Sequence, residues 1–174
     1  MIATSLITFA EFEQMPDTPG KQELIDGELI EMPHAEFRHT ILSERIFDIF
    51  RSGSPGKRAH HEMGYRIGRG WLVPDVSVTR PKQEVNKYLI GSPELAVEVV
   101  SPSNRPSYIQ RKLAHYLAEG AEEVWVIDPI KCKMSVYRTG PEGVVRTAVA
   151  ERHESKFGDI TLGTLFEVES AGKL

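Results

Sequence analysis

The sequence predicts an α/β protein in which a mixed central β-sheet is flanked by helices and preceded by an N-terminal β-hairpin. Three observations carry that reading. Asp26-Gly27 lies between two short strand-like runs, a strong two-residue hairpin signal. Residues 94–100 are apolar on both faces, as a central strand must be. Two stretches, 37–50 and the helix opening at Ser107, repeat apolar residues at helical spacing, so each has one face to lay on a sheet.

Taken in order, Thr8 and Glu11 make a Thr-x-x-Glu capping box, so residues 8–15 predict a short helix closed by Pro16. Gln22-Glu23-Leu24-Ile25 and Glu28-Leu29-Ile30-Glu31 are the hairpin strands, the second ended by Pro33. From 37 to 50, Ile41, Leu42, Ile46, Ile49 and Phe50 define an amphipathic helix whose polar face carries His39, Glu44 and Asp48. Ser52-Gly53-Ser54-Pro55-Gly56 is a loop, followed by expected strands over 59–67 and 71–79 joined by Gly68-Arg69-Gly70. Pro74 lies inside the second. Proline cannot donate to a ladder, so that strand is expected at an edge or bent just before Asp75.

After a polar loop over 81–92 comes the central strand, where period-two alternation puts Glu94, Ala96, Glu98 and Val100 on one face. A turn over 101–106 leads to Ser107 and Gln110, a second capping box opening a helix that Gly120 ends. Ile109, Leu113, Tyr116 and Leu117 form its buried stripe, with Lys112 beside the stripe and one side chain away from the sheet. Residues 123–128 read as a strand, 129–131 as a turn and 134–137 as the partner strand, while 144–147 and 160–168 read as short β segments. No repeat or linker divides the 174 residues, so one domain spanning 1–174 is expected.

Composition bounds the function. Hydrophobic residues make up 40% and charged residues 26%, which suits an ordinary soluble globular core. The single cysteine, Cys132, excludes an intrachain disulfide or a cysteine-rich zinc site and lacks a histidine pattern for nucleophilic catalysis. No apolar run approaches the roughly 18 residues of a membrane span, and residues 1–6 lack the basic start of a signal peptide, so a cytoplasmic protein is expected. A net charge of -4 argues against a generally basic nucleic-acid coat. Between Arg51 and Lys82, however, seven basic residues (Arg51, Lys57, Arg58, Arg66, Arg69, Arg80, Lys82) face two acids, Glu62 and Asp75. Such a segment suits a phosphate backbone or a solvated face.

The candidate site follows from one oddity, the carboxylate of Glu98 inside a Val, Leu and Ala run. Burying it is costly unless a cation or donor meets it. Asp75 on a neighbouring strand and Lys112 on the next helix supply a second acid and a base. Two carboxylates and a lysine suit a hard divalent ion and a phosphate, because Mg²⁺ is typically held by one or two carboxylates plus substrate oxygens. The plainer alternatives are that Asp75 caps a turn, Glu98 pairs with a core arginine and Lys112 snorkels to the surface. His60-His61-Glu62 makes a poor zinc site, because adjacent strand residues point to opposite faces.

The order of these features carries a resemblance. Glu23-Leu24-Ile25-Asp26-Gly27-Glu28-Leu29, a helix with His39, Pro74-Asp75, Val97-Glu98-Val99-Val100-Ser101-Pro102-Ser103, Lys112-Leu113 with Tyr116, and Gly120-Ala121-Glu122-Glu123-Val124-Trp125-Val126-Ile127-Asp128-Pro129 together resemble the Uma family of putative restriction endonucleases, a branch of the PD-(D/E)XK nuclease superfamily. The resemblance spans nearly the whole chain. It implies a restriction-endonuclease-like fold and a metal-dependent endonuclease that hydrolyses phosphodiester bonds of DNA. Mg²⁺ or Mn²⁺ would be held by Asp75, Glu98 and the backbone carbonyl of Val99, with Lys112 orienting the attacking water or offsetting phosphate charge. Two positions depart from pattern: Val100 stands where the superfamily has its lysine, which the family carries on the following helix at the place of Lys112, and Tyr108 stands where the family usually has an aspartate.

Three functions follow as expectations. The first is the DNA endonuclease, with a homodimer so that two sites address two strands. The second is a binding or assembly module that kept the fold while its site decayed. The third uses the acid pair on another substrate such as a glycoside, which requires two carboxylates at a set separation. His39 is a further candidate near the metal or DNA, against the plainer reading of a structural helical histidine, and Glu28 and Glu44 are others.

Overall fold

The computed structural model describes residues 6–16, 18–32, 35–53, 58–101 and 105–167. Residues 1–5, Pro33, Ser54, Pro55, Gly56, Lys57, Pro102, Ser103 and Val168, on which parts of the sequence reading rest, lie outside them.

The elements run α1 (Phe9–Phe12), β1 (Lys21–Ile25), β2 (Glu28–Met32), α2 (Phe37–Gly53), β3 (Ala59–His61), β4 (Tyr65–Ile67), β5 (Gly70–Leu72), β6 (Val76–Val78), β7 (Glu84–Val85), β8 (Leu89–Ile90), β9 (Leu95–Val99), α3 (Pro106–Ala118), β10 (Glu123–Asp128), β11 (Lys133–Gly140), β12 (Gly143–Val149), β13 (Arg152–His153), β14 (Ile160–Thr161) and α4 (Leu162–Phe166). Two six-stranded sheets result, ordered β2-β1-β5-β4-β8-β7 and β12-β11-β10-β9-β6-β3. The second is the expected mixed central sheet: β9 pairs in parallel with β10 and antiparallel with β6.

Local chemistry explains most of the boundaries. Thr8 caps α1 with the expected reciprocal pair to Glu11. Asp26 and Gly27 both take positive φ, 54° and 83°, as a type I′ hairpin turn requires. All five residues of β9 are buried, as a central strand should be. The two long strands expected over 59–67 and 71–79 are corrected. Each splits, so that β3 and β6 join the central sheet while β4 and β5 form a hairpin in the other. The first break falls at Glu62, whose φ of 43° leaves the extended region. The second falls at Pro74, where the bend expected before Asp75 is found, although β6 is an inner strand rather than an edge. The polar loop 81–92 holds the short strands β7 and β8.

Two further expectations change. Helix α3 starts at Pro106, with proline in its first turn and no side-chain cap, so the box of Ser107 and Gln110 does not form. Part of the tail expected as β is the helix α4, which packs Leu165 under α2 while Arg45 of α2 donates to the Leu165 carbonyl at 2.9 Å.

The central sheet has an apolar layer on each face. On one side Val97, Val99, Trp125 and Ile127 meet Leu42, Ile46 and Phe50 of α2. On the other, Ala96 and Val124 meet Ile109, Leu113 and Tyr116 of α3 together with Ile25, Tyr65 and Leu72 of the smaller sheet. At about 1.5–3 kcal/mol for each buried large side chain, these layers hold β9 rigidly between two helices. Glu98 is the exception on that strand, facing the α3 side from within the core.

Candidate active site

The bend at Pro74 turns Asp75 into a polar cleft of about 220 Å³ while its backbone stays in the ladder, donating to the Val97 carbonyl at 3.1 Å. Its side chain spans both neighbours. Oδ1 accepts from Lys21 Nζ at 2.9 Å, and Oδ2 accepts from the Val99 backbone N–H at 2.8 Å and lies 3.2 Å from His39 Nε2. Glu98 projects from β9 toward α3, where Oε1 accepts from the Tyr116 hydroxyl at 2.9 Å and Oε2 from Lys112 Nζ at 2.7 Å.

Tyr108, Lys112 and Tyr116 stand four residues apart, so they form one row along α3 facing the sheet. Lys112 is 1% exposed, which rules out a snorkelling surface lysine. Its ammonium rests between Glu98 Oε2 and Glu23 Oε1, the latter at 2.9 Å. Glu23 Oε1 also accepts from the Val73 N–H at 2.7 Å, and Oε2 accepts from the Tyr108 hydroxyl.

The structure therefore brings together the three side chains expected from sequence, Asp75, Glu98 and Lys112, and adds His39 to Asp75. It also brings in Lys21, Glu23 and Tyr116, which were not expected there. Lys21 and Glu23 sit two apart on β1, so both point the same way. That Lys-x-Glu spacing was the available signal, and it is faint without the fold. Glu28 and Glu44 are not part of the site: Glu28 pairs with Arg111 at 2.6 Å and Glu44 is exposed on α2. His61 packs at a tilt against Phe47, ring centroids 4.3 Å apart, and no group of three or more His, Cys, Asp or Glu among the described residues is arranged to cage a metal.

Charge decides the character of this cluster. Three buried carboxylates, Asp75, Glu98 and Glu23, face two ammonium groups, Lys21 and Lys112, and one titratable cation, the His39 imidazole beside Asp75. Burial works to raise Asp75, but Lys21 and the neighbouring His39 overcome it and hold Asp75 well below the usual carboxylate range. Glu98 goes the other way. Burial, with Asp75 and Glu23 close by, outweighs Lys112 and pushes it up to about 7. Burial works against charge on Lys112, yet Glu23, Glu98 and Asp75 raise it and keep it an ammonium. His39, which burial would lower, is raised by its hydrogen bond to Asp75. With His39 neutral the three carboxylates outnumber the two ammonium groups by one, and Glu98 is the acid pushed toward its protonated form.

This donor set fits a hard divalent cation. Asp75, Glu98 and Val99 line one cleft, and two carboxylates plus water and substrate oxygens are what Mg²⁺ ordinarily takes. Lys21 holds Asp75 Oδ1, so that pair must open for this oxygen to bind an ion.

Comparison with known proteins agrees with the architecture. The crystal structure of a putative nuclease belonging to DUF820 from Anabaena variabilis superposes with a TM-score of 0.81 at 23% identity, covering 92% of this chain and 97% of the other. That likeness shows a shared restriction-endonuclease-like fold. No curated protein matches the chain. The family model Uma2, described as a putative restriction endonuclease, matches residues 9–165, nearly the whole length. By that match the chain belongs to the Uma2 family of putative restriction endonucleases.

Proposed function

We propose that this chain, as one domain, is a metal-dependent endonuclease hydrolysing phosphodiester bonds of DNA at Asp75, Glu98 and Lys112. The observation that carries the reading is the lysine-centred cluster, in which Lys112 from α3 stands 2.7 Å from Glu98 beside the carboxylate of Asp75. Asp75, Glu98 and the Val99 carbonyl would hold Mg²⁺ or Mn²⁺, which when bound supplies Lewis acidity toward a phosphoryl oxygen and a hydroxide-like water at neutral pH. Lys112 offers a fixed point charge to the phosphate, and Glu23 with Tyr108 fixes where that charge sits. His39 orients Asp75 and adds positive charge near the incoming backbone. A homodimer would let two such sites address two strands. Among the described residues no helix is long and apolar enough to cross a membrane.

Plasmid cleavage with Mg²⁺ and with Mn²⁺, run beside Glu98→Ala and Lys112→Ala, tests this. Cutting by the wild-type chain that falls at least about a thousandfold in both variants is expected, equivalent to the several kcal/mol a bound metal contributes. Cutting that survives both substitutions contradicts the site. A second reading, a binding or assembly module, is favoured by one observation: Lys21 already occupies Asp75 Oδ1, closing the network on itself. The absence of cutting on any nucleic acid would support it.

A further inference from the structure

The face of the central sheet that carries Glu98 continues past α3. Strand register puts Glu98, Val126 and Ser135 in one row across β9, β10 and β11, and Asp128 and Lys133 in the next. A groove of about 640 Å³ lies along these rows, between the first turns of α3 and strands β10, β11 and β12. It meets the candidate active-site cleft at Ser101, which lines both.

This groove is a local exception to the charge of the molecule. The chain carries a net charge of -4, yet Lys131, Lys133 and Arg146 line the groove and are exposed, against one acid, Asp128. That acid is already satisfied: Oδ1 accepts from the Ile130 and Lys131 N–H groups at 3.1 and 2.9 Å, and Oδ2 from Lys131 Nζ at 2.9 Å. Helix α3, which forms the opposite wall, has no acidic residue along its length. Two cations are therefore left over. Lys133 makes no side-chain hydrogen bond or ion pair among the described residues. Arg146 gives Nε and Nη2 to Ser135 Oγ at 3.1 and 3.0 Å and meets no carboxylate among them, which leaves Nη1 unengaged. By contrast, the basic segment from Arg51 to Lys82 is largely spent: Arg51 lies over Phe47, Arg66 over Phe9, and Arg80 donates to the carbonyls of Ser92 and Glu119.

Spacing ties these cations to the cleft. With strands about 4.8 Å apart, Ser135 lies about 10 Å from Glu98 along their row, and at about 3.4 Å per nucleotide Arg146 stands about three nucleotides from a phosphate at Glu98. We propose that this groove holds the phosphate backbone of the DNA strand on one side of the cut, with Lys133 and Arg146 as its contacts. Contacts of this kind position a strand and carry no base preference. The inference rests on the nuclease reading and deepens it, by giving the substrate strand a path out of the cleft.

The test is binding of a labelled DNA strand of about twelve nucleotides, long enough to span cleft and groove at about 3.4 Å per nucleotide, measured by fluorescence anisotropy in EDTA over a salt series. Lys133→Gln combined with Arg146→Gln should weaken binding about tenfold or more and lower the slope of log affinity against log salt by about 1.4, the value for two single-strand phosphate contacts. Arg69→Gln combined with Lys82→Gln removes the same charge from exposed positions outside the groove and should leave affinity within about twofold. Arg146→Lys keeps the charge but not the fork on Ser135, and should bind within about threefold of wild type. No binding by the wild-type chain, an equal loss in the Arg69 and Lys82 variant, or a loss in Arg146→Lys as large as in Arg146→Gln would each overturn the proposal. If the double variant does not fold, Lys133→Gln alone decides, through a slope change of about 0.7. A chain that binds through the groove but cuts no plasmid loses only the nuclease reading, and one that cuts plasmid with binding untouched by the groove substitutions loses only the groove.

Discussion

Two buried glutamates on adjacent strands of the central sheet, Glu98 on β9 and Glu123 on β10, meet opposite fates. Glu123 is closed in by donors: Trp125 Nε1 at 2.6 Å, Arg138 at 2.7 Å, His153 at 3.2 Å and Ser155 at 3.4 Å. Burial works to raise it, but those hydrogen bonds win and hold it below its ordinary value. Glu98 has Lys112 and Tyr116, yet Lys112 is shared with Glu23 and a third carboxylate stands nearby, so Glu98 is pushed up to about 7. Both acids are hydrogen-bonded. What separates the two acids is the charge balance around them: Glu123 is met by donors that lower it, whereas Glu98 shares Lys112 with Glu23 and is raised.

That contrast can be broken by substitution. Lys112→Met removes the shared cation and leaves Glu98 and Glu23 buried without a counter-charge, so a stability loss of about 3–5 kcal/mol is expected in denaturant unfolding. Glu123→Gln keeps the shape and an acceptor for Trp125 but loses the charge toward Arg138 and His153. About 2 kcal/mol should go, with plasmid cleavage retained. Equal losses in the two variants would mean that the clusters do the same structural job.

The smallest effect is the most discriminating, because the two acids should carry opposite pH signatures. Glu123 has a folded value below its unfolded one. Its stabilisation is therefore present above the unfolded value of 4.5 and lost as pH falls through the lowered folded value. Glu98 has a folded value above its unfolded one, so the stability of its protonated form is present below 4.5 and lost as pH rises toward 7. In chelator-treated protein, Glu98→Gln should therefore gain on wild type as pH rises from 4.5 to 7, whereas Glu123→Gln should gain on wild type only below about 4.5. Parallel profiles for both variants would remove the distinction.

Much of this was legible before the fold was known, for stated reasons. An acid in an apolar run marks Glu98, proline marks the bend at Asp75, and helical spacing places Lys112 against the sheet. Lys21 and Glu23 were not legible, because a Lys-x-Glu pattern in a hairpin strand looks like a solvated edge. Only contacts spanning 54 residues to Asp75 and 89 residues to Lys112 reveal otherwise. Tyr116 read as plain core because its ring is apolar, and only its hydroxyl reaches Glu98. The breaks at Glu62 and Pro74 were half visible: proline announced one, while a positive φ at a glutamate has no sequence mark. Helix α4 escaped because its five residues are set by packing on α2 rather than by their own propensity.

Tyr108 gains a meaning from this arrangement. Its hydroxyl donates to Glu23 from within the buried row along α3. A further carboxylate would add to the excess of acids, whereas the tyrosine satisfies Glu23.

The central claim is that Asp75 and Glu98 take up a divalent ion, and a crystal soaked in Mn²⁺ addresses it directly. An anomalous peak about 2.1 Å from carboxylate oxygens of both Asp75 and Glu98, with Lys21 moved off Asp75, is the expected result. A cleft without such a peak, with Lys21 still 2.9 Å from Asp75, would contradict the account.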